Sequence, residues 1–154
     1  MGYYVTGFGQ ITIKRDDEHE AYKAMCALND NDEIKRGGSF AGGTDSRSSR
    51  PEGLNYHPHK WFSWLDPNYP SMCFTFLSIL DHLGFEIRRA TPTNDSTTYR
   101  LYYESKVGQE KLFLEACAPY LIGEIEWEGE DGERWRNVFA GGEMITQTGK
   151  IVYS

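Results

Sequence analysis

Six carboxylates and two tryptophans crowd into Gly123–Phe139 (GEIEWEGEDGERWRNVF), where acid/base chemistry or an acidic contact would be sought first. Glu130-Asp131-Gly132 has the chemistry of a hairpin turn, with Gly132 free to take the positive φ a short loop demands. A three-residue loop sets Trp127 opposite Trp135, Glu126 opposite Arg136 and Glu128 opposite Arg134. A two-residue loop would set Trp127 against Arg136 and Trp135 against Glu128, so only the first register satisfies every cross-strand pair. It buries an aromatic face, leaves Glu124, Glu126 and Glu128 beside the arginines on the other, and puts Glu130, Asp131 and Glu133 at an acidic tip. Alternation keeps these carboxylates solvated, where nothing raises a pKa towards that of a general acid. The pattern therefore predicts a partner-binding surface of Glu128, Glu130, Asp131 and Glu133, with no catalytic residue.

A second constellation is Tyr56-His57-Pro58-His59-Lys60-Trp61, with Trp64 close behind. Tyr56, Trp61 and Trp64 could stack a base while His57, His59 and Lys60 meet phosphates, which makes sequestration of a small nucleotide the alternative function. The His57/His59 spacing would also suit a metal, but no third His or Cys of suitable spacing follows, so exposed structural histidines are expected and no metal or cofactor is assigned. GGSFAGG runs into Thr44-Asp45 rather than Gly-Lys-Ser/Thr, and no nucleophile elbow or HExxH motif occurs, so the chain is expected not to be an enzyme.

Composition narrows the partners. A net charge of −7 argues against direct binding to a nucleic-acid backbone, which needs clustered Lys and Arg. The aromatic content of 14% means that the core is ring-rich or that some rings face a partner. Cys26, Cys73 and Cys117 form no CxxC pair and sit in apolar helical patterns, the expectation for buried thiols in a reducing cytosol. No apolar run approaches the roughly 18 residues of a membrane span, and MGYYVTGFGQ lacks the regions of a signal peptide. A cytoplasmic protein without a membrane partner is expected, and self-association stays open.

The elements that must position these residues follow from periodicity. Tyr3–Lys14 reads as a strand in which Gly7 and Gly9 permit close approach; a helix capped by Asp16 carries Ala21, Tyr22, Met25 and Leu28 at helical spacing. A glycine-rich loop spans 33–57, followed by a short aromatic strand over Trp61–Leu65. Ser71 is placed as cap of a helix whose stripe is Met72, Phe76, Leu77, Leu80 and Leu83, with Gly84 as its stop. Strands over Phe85–Ala90 and Thr98–Lys106 come next, then a helix turning Leu112, Phe113, Ala116 and Cys117 inward until Pro119. After the acidic hairpin, Gly141-Gly142 makes a turn pairing Phe139 with Met144 and Val138 with Ile145, and a last strand runs from Met144 to Tyr153. The length suits one α+β domain over 1–154, and the element order resembles a ferredoxin-like antiparallel sheet with helices on one face, extended by a C-terminal β-meander.

Both ends of the chain carry a further resemblance. The segment from Gly123, with Thr148-Gly149-Lys150-Ile151-Val152-Tyr153, and the opening Met-Gly-Tyr-Tyr with Gly9-Gln10-Ile11-Thr12-Ile13 resemble an uncharacterised family of small proteins from actinobacteria and their bacteriophages. The resemblance carries over no catalytic motif. It implies a phage or prophage accessory protein in the bacterial cytoplasm; taken with the acidic surface, that origin makes binding that modulates or inhibits a host protein, counter-defence included, the expected role.

Overall fold

The computed structural model describes residues 2–38, 53–54, 56–63 and 65–149. Among these, the strands β1 (Tyr4–Lys14), β4 (Phe85–Pro92), β5 (Ser96–Lys106), β6 (Leu121–Gly129), β7 (Arg134–Ala140) and β8 (Glu143–Gly149) form an antiparallel sheet in the order β4-β5-β1-β6-β7-β8. The helices are α1 (Glu18–Ala27), α2 (Tyr69–Met72), α3 (Phe76–Leu83) and α4 (Glu110–Cys117), and a two-stranded ladder joins β2 (Gly37–Gly38) to β3 (Lys60–Trp61). The architecture is α+β.

Strand alternation sends one set of side chains inward. Val5, Ile11 and Ile13 of β1 join Tyr99, Leu101 and Tyr103 of β5 and Ile125 and Trp127 of β6 in one core with Met25 of α1, Leu80 of α3 and Phe113 of α4. The two central strands approach closely because β1 has glycines at the crowded points. A Cβ on Gly7 would lie 2.6 Å from the Trp127 ring, and one on Gly9 would lie 2.7 Å from Ile125 Cα and nearer still to the Glu124 carbonyl. Gly7 and Gly9 therefore serve close approach, as their sequence context suggests.

Several boundaries differ from expectation for local reasons. No side chain of Asp16 or Asp17 caps α1; a single 3-10 turn, Arg15–Asp17, feeds straight into it. The second predicted helix is broken between α2 and α3. Tyr69 and Cys73 are buried, and the Tyr22 hydroxyl donates to the Cys73 carbonyl at 2.7 Å, taking an acceptor that a continuous helix would use. The true cap of α3 is Thr75, not Ser71: its hydroxyl accepts the Ser78 N–H at 3.0 Å. Met72, placed on the inward stripe, is 52% exposed. Gly84 does stop α3, in the left-handed region at φ +113°. In α4 the inward residues include Leu114, whereas Ala116 is half-buried. The aromatic strand over Trp61–Leu65 shrinks to β3, because after Trp61 the chain turns to bury Phe62, which packs edge-on to Phe113 (centroids 5.0 Å apart) and Tyr69 (6.2 Å). The last strand is described as far as Gly149, and the predicted continuation over Lys150–Tyr153 lies outside the described residues.

Candidate functional site

The β6–β7 hairpin has the three-residue turn and the register that its pairing chemistry demands. Glu126 faces Arg136, Trp127 faces Trp135 and Glu128 faces Arg134, while Gly132 takes φ +88°. Trp127 is buried and stacks on half-buried Trp135, the ring centroids 6.3 Å apart and the planes 12° from parallel. The Trp127 indole N–H donates to Asn137 Oδ1 at 2.8 Å, and the Asn137 amide donates in turn to Thr146 Oγ1 at 3.0 Å, so the polar atoms of this buried layer are satisfied across three strands.

At the hairpin end, the four carboxylates have different employment. Glu128 is paired with Arg134 at 3.0 Å. Glu130 accepts the Tyr4 N–H at 3.1 Å. Asp131 accepts the Tyr3 hydroxyl and the Glu133 N–H, and the Tyr3 bond is the main reason its carboxyl sits below the usual range. The same bond pushes the Tyr3 phenol up to about 12. Glu133 contributes its backbone to the turn and points an exposed side chain outward. The acidic tip is thus a fixed surface tied to the first strand.

Beside the hairpin lies a cleft of about 680 Å³, with α4 on one side and Trp127, Trp135, Asn137 and Thr146 on the other. Ile34, the last residue of a 3-10 turn at Asp32–Ile34, and Arg36 just beyond it add to its wall. Gln109 knits the floor together: its amide donates to the Ile34 carbonyl at 2.7 Å, and its Oε1 accepts the Arg36 N–H at 2.9 Å. Glu110 is buried in the wall and accepts the Gly108 N–H at 2.9 Å; burial pushes its carboxyl above the usual range. Tyr3 connects cleft and tip, since its carbonyl accepts the N–H of Val107, a lining residue, at 2.8 Å while its hydroxyl reaches Asp131.

Neither Glu110 nor Gln109 stood out as a site residue in the sequence. A signal was present: Glu110, Phe113, Leu114 and Cys117 fall at i, i+3, i+4 and i+7, which sets a carboxylate on the inward stripe of α4.

The second constellation is divided between buried and exposed positions. His57 is buried rather than exposed. Its Nδ1 accepts the His59 N–H at 3.1 Å, its own N–H donates to Asp32 Oδ1 at 3.3 Å, and burial holds it below its ordinary pKa against the pull of Asp32. Asp32 also pairs with buried Lys35 at 2.7 Å, so His57 belongs to a structural knot that closes the loop. His59 is exposed, its ring 5.8 Å from that of His57. Tyr56, Lys60 and Trp61 are half-buried, Trp61 lies against Gly37 in the small ladder, and Trp64 lies outside the described residues. Among the described residues no group of three or more His, Cys, Asp or Glu could hold a metal ion, and no helix is long and apolar enough to cross a membrane. Compared with protein-family models, curated proteins and solved structures, the chain shows no match.

Proposed function

We propose that this protein acts by binding, as a phage-encoded modulator of a host protein in the bacterial cytoplasm, and that the contact is the β6–β7 hairpin with the cleft beside it. The observation that carries the reading is the coupling of two features on one preorganised element. A stacked tryptophan pair walls the cleft, and a carboxylate-bearing end is fixed beside its mouth through Tyr3. Half-buried aromatic rings at the edge of a hollow are the usual anchors of protein interfaces, and rim carboxylates speed encounter with a basic partner. The phage origin rests on the resemblance of the two chain ends. A ferredoxin-like frame is supported by the order β6-β1-β5-β4 within the sheet, and a C-terminal meander by the succession of β6, β7 and β8 as neighbours.

The test is affinity capture from an actinobacterial host lysate, followed by kinetics with the captured protein. Trp135→Ala is expected to abolish capture. A variant with Glu130, Asp131 and Glu133 changed to Gln, Asn and Gln should slow association and flatten its dependence on ionic strength. Capture indifferent to both variants would refute the assignment.

A further inference from the structure

The sheet face turned away from the helices is chemically divided. On its β4–β5 side Arg88, Arg89 and Arg100 are all exposed; Arg88 pairs with Glu86 at 3.0 Å, and the Tyr102 hydroxyl donates to Glu104. Arg89 and Arg100 face each other as cross-strand partners, and neither makes an ion pair among the described residues. Like charges set directly opposite are destabilising, so the pair calls for an anion. A β-bulge creates it. Strict alternation after inward Ile87 would turn Arg89 inward as well, but the register shifts between Ile87 and Arg89 and brings Arg89 round to the open face beside Arg88.

Two residues along the central strands, about 7 Å away, aromatic rings replace the charges. Phe8 of β1 is the cross-strand partner of Tyr102 of β5; Phe8 is 54% exposed, and the Arg88 guanidinium lies 3.8 Å from the Tyr102 ring centroid. A hollow of about 320 Å³ touches Phe8, Arg88, Arg100 and Tyr102. It is continued by a smaller one of about 170 Å³ between Gln10, Arg89, Thr98 and Arg100.

We propose that this face binds a nucleotide, its phosphate held by Arg89 and Arg100 with Gln10 and Thr98 as further donors, and its base stacked on Phe8 and Tyr102 beside Arg88. Guanidinium pairs match phosphate geometry, and aromatic rings take any base. The separation of the two halves is that of a base from its 5′-phosphate. The next strand, β6, sets Glu124 beside Gln10 and Glu126 beside Phe8, so a polyanion crossing the sheet would meet carboxylates. The occupant is therefore small.

Titration calorimetry of the full chain with ATP, and separately with a short oligothymidylate, tests the site. We expect saturable ATP binding that Arg89→Gln with Arg100→Gln weakens at least tenfold. Loss of one stacked ring, corresponding to roughly 5- to 150-fold per base, should appear in Phe8→Ala. Lys23→Gln, on α1 and away from this face, should leave affinity within about twofold, and matching circular dichroism spectra and melting curves establish that the variants fold. An oligothymidylate that binds more tightly than ATP through the same arginines overturns the proposal, since the occupant is then a nucleic-acid strand and not a small nucleotide. Absence of saturable binding of either probe at millimolar concentration, or binding indifferent to the arginines, overturns the proposal. So does a dimer that Phe8→Ala dissociates while no probe binds, since the occupant is then a second copy of the chain. Arg89 and Arg100 line neither the cleft nor the β6–β7 hairpin, so the arginine variants and Trp135→Ala test the two readings separately; Phe8 shares a hollow with Glu128 and Trp135 and does not separate them alone.

Discussion

Trp127→Ala should be among the most damaging substitutions in this protein, and the structure supplies the magnitude. The ring is 4% exposed, stacks on Trp135, and meets Phe85 and Tyr103 edge-on at 6.0 and 5.4 Å. Truncating a buried Trp costs about 3–5 kcal/mol, and losing the indole N–H leaves Asn137 Oδ1 without its donor in a buried layer. A loss near the top of that range is expected, enough to lower the melting temperature by roughly 10–20 °C in a chain of this size. Urea unfolding followed by far-UV circular dichroism is the assay, since the substitution itself alters tryptophan fluorescence. The close approach of Gly7 makes the test sharper. Its Cβ would lie 2.6 Å from the Trp127 ring, so Gly7→Ala is destabilising in the wild type and much less so once the ring is gone. A Trp127→Ala loss below about 1 kcal/mol, or a Gly7→Ala cost equal in both backgrounds, would refute this account of the layer.

Three further outcomes follow from the same geometry. Burial raises the Glu110 pKa in the folded state, so the native protein holds its proton at pH values where the unfolded chain has released it, and stability falls as pH rises from the ordinary carboxylate value through the raised one. Glu110→Gln should remove that slope, and unfolding free energies of both proteins that differ by a constant between pH 4 and 8 would contradict it. Exchanging Glu128 and Arg134 should change stability by less than about 0.5 kcal/mol by denaturant titration, because both side chains are more than half exposed and solvent screens the pair. Thr75→Ala removes the side-chain cap of α3 and should cost about 1 kcal/mol, read as a shift in denaturation midpoint; Ser71→Ala should be near neutral.

The acidic hairpin was legible because its constraints are local. A turn glycine, alternating side chains and two opposed Glu–Arg pairs within one short stretch admit a single register, and the structure has it. The same holds for the inward face Tyr99, Leu101 and Tyr103 of β5 and for Gly84 as the stop of α3, where period and punctuation lie within a few residues. Less was legible wherever a distant group competes for the backbone. The break between α2 and α3 depends on Tyr22 reaching the Cys73 carbonyl, and the burial of His57 depends on Asp32 on the far side of the loop.

The candidate surfaces divide along the same line. Local sequence order determined that carboxylates gather at the β6–β7 turn and that Trp127 and Trp135 share a face, because turn chemistry and the two-residue period act between near neighbours. Only the tertiary structure decided that Tyr3 binds Asp131, that α4 and the segment around Ile34 close a cleft against the tryptophans, and that β1 lies between β5 and β6. That last placement sets Phe8 against Tyr102, and a bulge sets Arg89 against Arg100. Strand order and bulges minimise the free energy of the whole sheet at once, so no window of the chain contains the information that places these residues together.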